Sequence, residues 1–213
     1  MSKQNREIYP PSQCEHPVTT TPQYIGSANA DIQFYLPNAP IFPENWRYGS
    51  SDAISQLIAV NTNHWRKIVT IMAKITSPAV GTQLHSGVIT GMRKGMSAPI
   101  WKDYRDTLLL KHLEAINIGA NQLQPHARWH IVCGQSAALC LGLKLSDANP
   151  IVGADGKVDE RILALDVIQE GVSNKVLITP YLDYRQYPNI SIEVTRYYMS
   201  TVDTDASLQV KVT

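Results

Sequence analysis

The segment RWHIVCGQSAALCLGL (128–143) constrains the fold of this chain more than any other. RWHIVCG reads as a short apolar strand that runs into Gly134. A helix then starts at Gln135–Ser136 and is ended by Gly142. KVLIT (175–179) is a second strand of this kind, and DIQFYL (31–36) alternates Ile32, Phe34 and Leu36 before stopping at Pro37. A strand with no polar face must be covered on both sides. Short apolar strands separated by helices therefore predict an α/β fold: a mostly parallel sheet with helices on both faces.

The intervening segments supply the helices. SSDAISQLIAVNTNHWRKIVTIMAKI (50–75) contains two helical stretches. Ser51 or Asp52 can cap the first, which places Ile54, Leu57 and Ile58 on one face. The second carries a stripe of Trp65, Ile68, Val69, Met72 and Ile75, leaves Arg66, Lys67 and Lys74 outside it, and stops at Pro78. SGVITGMRKGMSAP (86–99) reads as an irregular connection, and PIWKDYRDTLLLKHLEAIN (99–117) as one helix burying Leu109, Leu113 and Ile116. DANPIVGADGKVDE (147–160) is turn-rich, with a small hairpin expected at Asp155–Gly156. NISIEVTRYYMSTV (189–202) fits a strand or a helix, and Asn189 as an N-cap tips it to helix. SLQVKV (207–212) alternates as a strand. Residues 1–28, with Pro10, Pro11, Pro17 and Pro22, read as an extended proline-rich arm before a single domain at 29–213.

Composition excludes several classes. Of 213 residues, 44% are apolar and 17% charged, which is globular and not disordered. A net charge of +1 supplies no global field for nucleic acid, so such a partner needs a local basic patch. No apolar run reaches the length of a membrane helix, and the first residues lack the apolar core of a secretory signal. Three cysteines, Cys14, Cys133 and Cys140, suit a reducing compartment, so a cytoplasmic location is expected.

In an open parallel sheet, ligands bind beyond the carboxyl ends of the strands. One candidate there is Gly134, Gln135 and Ser136, where a tight turn meets a helix start whose free N–H groups suit an anion. A strand–helix turn chosen for packing is the favoured reading of this segment, because a single glycine is neither a P-loop nor a dinucleotide fingerprint. The other candidate is NKVLITPYLDYRQYPN (174–189), which sets Asp183, Arg185 and Gln186 among Tyr181, Tyr184 and Tyr187 between two prolines. Arg185 can fork onto a phosphate, the tyrosines can stack on a base, and Gln186 and Asn189 offer amide edges. Asp183 and Arg185 can also pair with each other and pin the loop.

Metal and triad chemistry are disfavoured. His130 and Cys133 would point to opposite faces of a strand, which argues against a zinc set with His126 and Cys140, so no metal and no cofactor are expected. Ser136, His130 and Asp183 lack a nucleophile elbow around CGQSAA. Trp65 and Trp129 are expected in the core, and Trp46 and Trp101 as surface anchors. HWRKIVTIMAK (64–74) and MRKG (92–95) can join Arg185 and Arg196 in a basic rim.

RWHIVCGQSAALCLGL followed by NKVLITPYLDYRQYPN resembles the second half of the uracil-DNA glycosylase-like superfamily, over about a third of the chain. The resemblance implies that Asn38 lies near a pocket and loop 180–189 near nucleic acid. Pro180 and Tyr181 stand where that family has a histidine, and YLPNAPIF (35–42) offers Asn38 where it has an acid. Three readings follow. The first is a nucleotide- or nucleic-acid-binding α/β domain related to base-excision glycosylases. The second is a non-enzymatic interaction protein that uses the Tyr-rich loop, with a homo-oligomer as one form. The third is a small-molecule hydrolase or transferase with Asp183 as catalytic base, which requires a raised Asp183 pKa.

Overall fold

A computed structural model describes residues 22–78, 98–125 and 127–209. Cys14, His16, His126, the 92–95 basic run and most of the segments read as arm and irregular connection lie outside the described residues. The elements are β1 (Gln23–Gly26), β2 (Ile32–Leu36), α1 (Ala53–Thr76), α2 (Ala98–Asp106), β3 (Glu114–Ile118), β4 (Trp129–Cys133), α3 (Gln135–Cys140), β5 (Asn149–Val152), β6 (Val158–Gln169), β7 (Val172–Thr179) and α4 (Asn189–Gln209).

The seven strands order as β1-β3-β2-β4-β7-β6-β5. The central pairings β3–β2, β2–β4 and β4–β7 are parallel, whereas β1–β3, β7–β6 and β6–β5 are antiparallel. The sheet is therefore mixed and the fold α+β, which corrects the mostly parallel expectation. The cause is local. β6 and β7 are joined by Glu170 and Gly171 alone, both at positive φ (51° and 79°), and two residues can close a hairpin but not a parallel crossover. β6 escapes sequence reading because its first half is charged and largely exposed.

Helices are also less evenly shared than expected. α1, α2 and α4 contribute to one core with Phe34, Ile116, Ile131 and Leu177 of the central strands. The opposite face, built on Tyr35, Val132, Val176 and Ile178, is covered by the short α3 with Leu123 and Leu143. Trp65 and Trp129 are buried in the first core, as expected.

α1 joins the two expected helical stretches across a kink at Thr62, whose φ of 58° and ψ of −143° lie outside the helical region. The single helix expected over 99–117 is corrected. α2 ends at Asp106, Leu109 and His112 take positive φ, and Glu114–Ile118 becomes β3, paired on both sides. β1 lies within the segment read as an arm. Gly26 is required there: at φ 124° a Cβ would stand 2.9 Å from both Ala115 Cα and Glu114 O. The expected hairpin at Asp155–Gly156 is present between β5 and β6. α4 continues to Gln209, so the strand expected over 207–212 is not formed at 207–209, and residues 210–212 are outside the described set.

Candidate functional site at the carboxyl ends of the central strands

β2 ends at Leu36 before Pro37–Asn38, β4 ends before Gly134, and β7 ends before Pro180–Tyr181, all at one end of the sheet. After β2 the chain passes to α1 on one face, and after β4 to α3 on the other. That divergence makes the β2/β4 boundary a topological switch point. Gly134 turns at φ 95° and donates from its N–H to Thr179 O at 2.8 Å. A Cβ built there would lie 3.9 Å from Tyr181 Cβ, so the glycine turn and the tyrosine loop emerge side by side. Gln135 and Ser136 are exposed.

The three tyrosines of the loop do different work. Tyr187 is fully buried, with its hydroxyl bonded to Thr195 Oγ1, and is core. Tyr184 is half-buried, with Lys74 Nζ 4.6 Å from its ring centroid. Tyr181 stacks on His64 at 5.7 Å between centroids, and its hydroxyl bonds His64 Nε2 at 2.9 Å. Asn38 also reaches that hydroxyl, while burial raises the pKa of the phenol.

Asp183 is the hub of the loop. Its Oδ2 accepts from Lys67 Nζ at 2.8 Å and its Oδ1 from Arg185 N at 3.0 Å and Nε at 3.4 Å. The carbonyl of Asp183 accepts from Gln186 N and Tyr187 N. The bond from Lys67, followed by that from the Arg185 amide, pushes the carboxyl down to about 2. The raised pKa that a general base in this position requires is therefore absent, and the side chain acts as the loop's anchor.

Lys74 is almost buried and is held among Asn189 Oδ1 (2.8 Å), Tyr184 and Trp101. Desolvation lowers its pKa. Asn189 is thus an acceptor for Lys74 and the first residue of α4, not its N-cap. Trp101 packs over Lys74 and Trp46 donates from Nε1 to Ala53 O, so both indoles carry structural contacts.

The basic rim forms in part. Arg66 and Arg105 stand close enough to Tyr184 to act on its hydroxyl, Lys67 reaches Asp183, and Arg185 is 88% exposed. Arg105 pairs with Asp106, and Arg66 with Asn63 Oδ1. Arg196 is not in the rim: it is buried and donates to Lys74 O, Ile75 O and Ser77 O at the end of α1, with its pKa pushed down to about 10 by burial.

No triad is assembled among Ser136, His130 and Asp183. His130 is buried, with Nδ1 on Tyr35 OH at 2.9 Å and Nε2 on Asn174 Oδ1 at 3.1 Å, and desolvation pushes it down to about 4. Burial raises the Cys133 thiol to about 12. Among the described residues no group of three or more histidine, cysteine or acidic side chains lies together. No described helix is long and apolar enough to cross a membrane. Sequence reasoning missed His64 and Lys67 as partners of the loop. The available signal was HWRK, whose charged residues fall off the apolar stripe of α1. Cavities of about 790 and 440 Å³ among the described residues are lined by other segments, 23–25 with 42–50 and the Trp129–Tyr198 side of the sheet.

The class defined by these features is an α+β protein whose mixed sheet opens, at the ends of its parallel centre, onto a tyrosine loop flanked by cations of α1 and α2. Its family can be stated: the chain belongs to the family of unknown function DUF6942, matched over residues 23–200. The match begins at the first residue of β1 and takes in every strand of the sheet. No curated protein and no solved structure matches the chain.

Proposed function

We propose that the carboxyl end of the central strands binds a phosphate-bearing ligand, a nucleotide or a single nucleic-acid strand, without acting on it as a general base. The observation that carries this reading is the group of cations along the tyrosine loop. Arg66, Lys67, Lys74, Arg105 and Arg185 gather there from α1, α2 and the loop in a chain whose net charge is only +1. Arg185 makes only a long 3.4 Å contact with Asp183 and keeps most of its guanidinium in water, where it can fork onto a phosphate. Asn38, Tyr181 and Gly134 adjoin at the switch point, where sheets of this build take ligands. The resemblance to uracil-DNA glycosylase-like proteins points to the same end of the sheet. Tyr187 is core and Tyr184 is half-buried, so the loop does not present the flat aromatic patch that a protein-interaction reading requires. A cytoplasmic setting belongs to this reading.

Titration of a fluorescently labelled oligothymidylate across salt tests it. Three phosphate contacts on a single strand give a logarithmic slope of about −2, or roughly a fifteen-fold loss of affinity between about 50 and 200 mM salt. The exposed pair Arg66→Ala and Arg185→Ala should flatten that slope by about 1.4 units without unfolding the chain. Affinity indifferent to both salt and these substitutions would remove the proposal.

A further inference from the structure

A second feature at the same end of the sheet is independent of the loop. The cavity of about 790 Å³ is lined by Gln23, Tyr24 and Ile25 of β1 and by Phe42, Trp46, Arg47, Tyr48, Gly49 and Ser50 after β2. Gln23, the first residue of the antiparallel β1, pairs with Ile118, the last residue of β3, so the cavity adjoins the carboxyl end of β3 and the amino end of β1. It lies three strands from Gly134, roughly 14 Å at ordinary strand spacing.

Its walls are aromatic and fixed. Phe42 and Trp46 pack at 5.2 Å between centroids, and Trp46 is held by its bond to Ala53 O. Tyr24 is held through its hydroxyl by Ser27 O and Gln33 Nε2. Two polar groups in the lining lack partners among the described residues. Gln23 Oε1 is buried with no hydrogen bond among the described residues. Arg47 is exposed and makes no ion pair among them. A buried acceptor left unpaired costs on the order of 1–3 kcal/mol, a cost that a ligand donor would relieve. A cavity of this size, with four aromatic side chains and a few polar groups in its lining, has the make-up of a small-molecule site.

We infer that this cavity binds a planar aromatic anion carrying a hydrogen-bond donor at the end opposite its charge. The ring lies among Phe42, Trp46 and Tyr48, the anion meets the Arg47 guanidinium, and the donor reaches Gln23 Oε1.

The probes are 6-hydroxy-2-naphthoate, 2-naphthoate and 2-naphthol, titrated into the full chain by ligand fluorescence, with amide NMR shifts to locate them. The expected affinity order places the hydroxy acid first. Arg47→Ala weakens both acids about tenfold and leaves 2-naphthol unchanged. Gln23→Leu removes the advantage of the hydroxy acid over 2-naphthoate. Arg66→Ala with Arg185→Ala leaves all three probes unchanged, which separates this site from the phosphate-binding face. No saturation by about 1 mM, equal affinity of the acids for wild type and Arg47→Ala, or shifts that map away from 23–25 and 42–50 would each overturn the assignment.

Discussion

His130 shows how far one side chain can be committed by its neighbours. Neutral imidazole fits its site because Nδ1 accepts from Tyr35 OH while Nε2–H donates to Asn174 Oδ1, and the Tyr35 oxygen accepts in turn from Gln124 N. Protonation would add a charge to a fully buried ring and leave Nδ1–H facing a hydroxyl already used. The folded pKa of about 4 lies below the usual value of 6.5, so the unfolded chain binds the extra proton between these values. Stability from this group is full above about pH 6.5 and is lost as pH falls towards 4, by up to about 3 kcal/mol. Urea unfolding at pH 7.5 and 5 checks this: His130→Gln should show a shallower loss across that range than wild type. Much at this scale was legible in sequence. Strand periodicity set His130 and Cys133 on opposite faces, and the spacing of Asp183 and Arg185 suggested that they pair. The Lys67 and His64 contacts were not legible, because they join residues 116 and 117 positions apart.

At the scale of elements, the error over 99–117 is instructive. Leu109, Leu113 and Ile116 have helical spacing, and nothing in the sequence marks Leu109 and His112 as positive-φ positions, since glycine would be the usual residue there. β3 wins because Glu114–Ile118 fills the gap between β1 and β2, where Asn117 and one oxygen of Glu114 find partners that only the folded state supplies, while Glu114 Oε2 stays without one. Tyr104 donates to Glu114, and Asn117 donates to Gln33. The end of α1 is likewise set from outside. Its final carbonyls are bound by Arg196 of α4, a guanidinium stripped of water by burial. Arg196→Met keeps the stem but strips these carbonyls of their donor. It should cost about 3 kcal/mol, and more than Arg185→Met, in chemical denaturation at neutral pH. Equal stability of the two variants would show that the bonds from Arg196 contribute nothing net.

For the whole molecule, the sheet is a parallel centre with antiparallel margins, and the margins decide what lies beside the site. β1 reaches its place only because Gly26 lets its backbone approach Ala115. Gly26→Ala combines a 2.9 Å clash with an unfavourable φ and should destabilise the protein by at least about 2 kcal/mol. Hydrogen exchange should accelerate at Gln23–Gly26 while the β4–β7 ladder stays protected, and the naphthoate site lined by β1 should be lost with it. Uniform acceleration through the sheet would show instead that β1 is integral to global stability.

What the chain carries locally could be read from it: the apolar strands at 32–36, 129–133 and 175–179, the glycine turn at 134 and the kinked pair of helices in α1. Each rests on side-chain periodicity, glycine freedom or proline restriction within a few residues of sequence. Strand order, strand direction at both margins and the gathering of cations around Tyr184 were decided only by tertiary structure. Backbone ladders are nearly blind to side-chain identity, and the partners that neutralise, stack on or cap one another lie far apart along the chain.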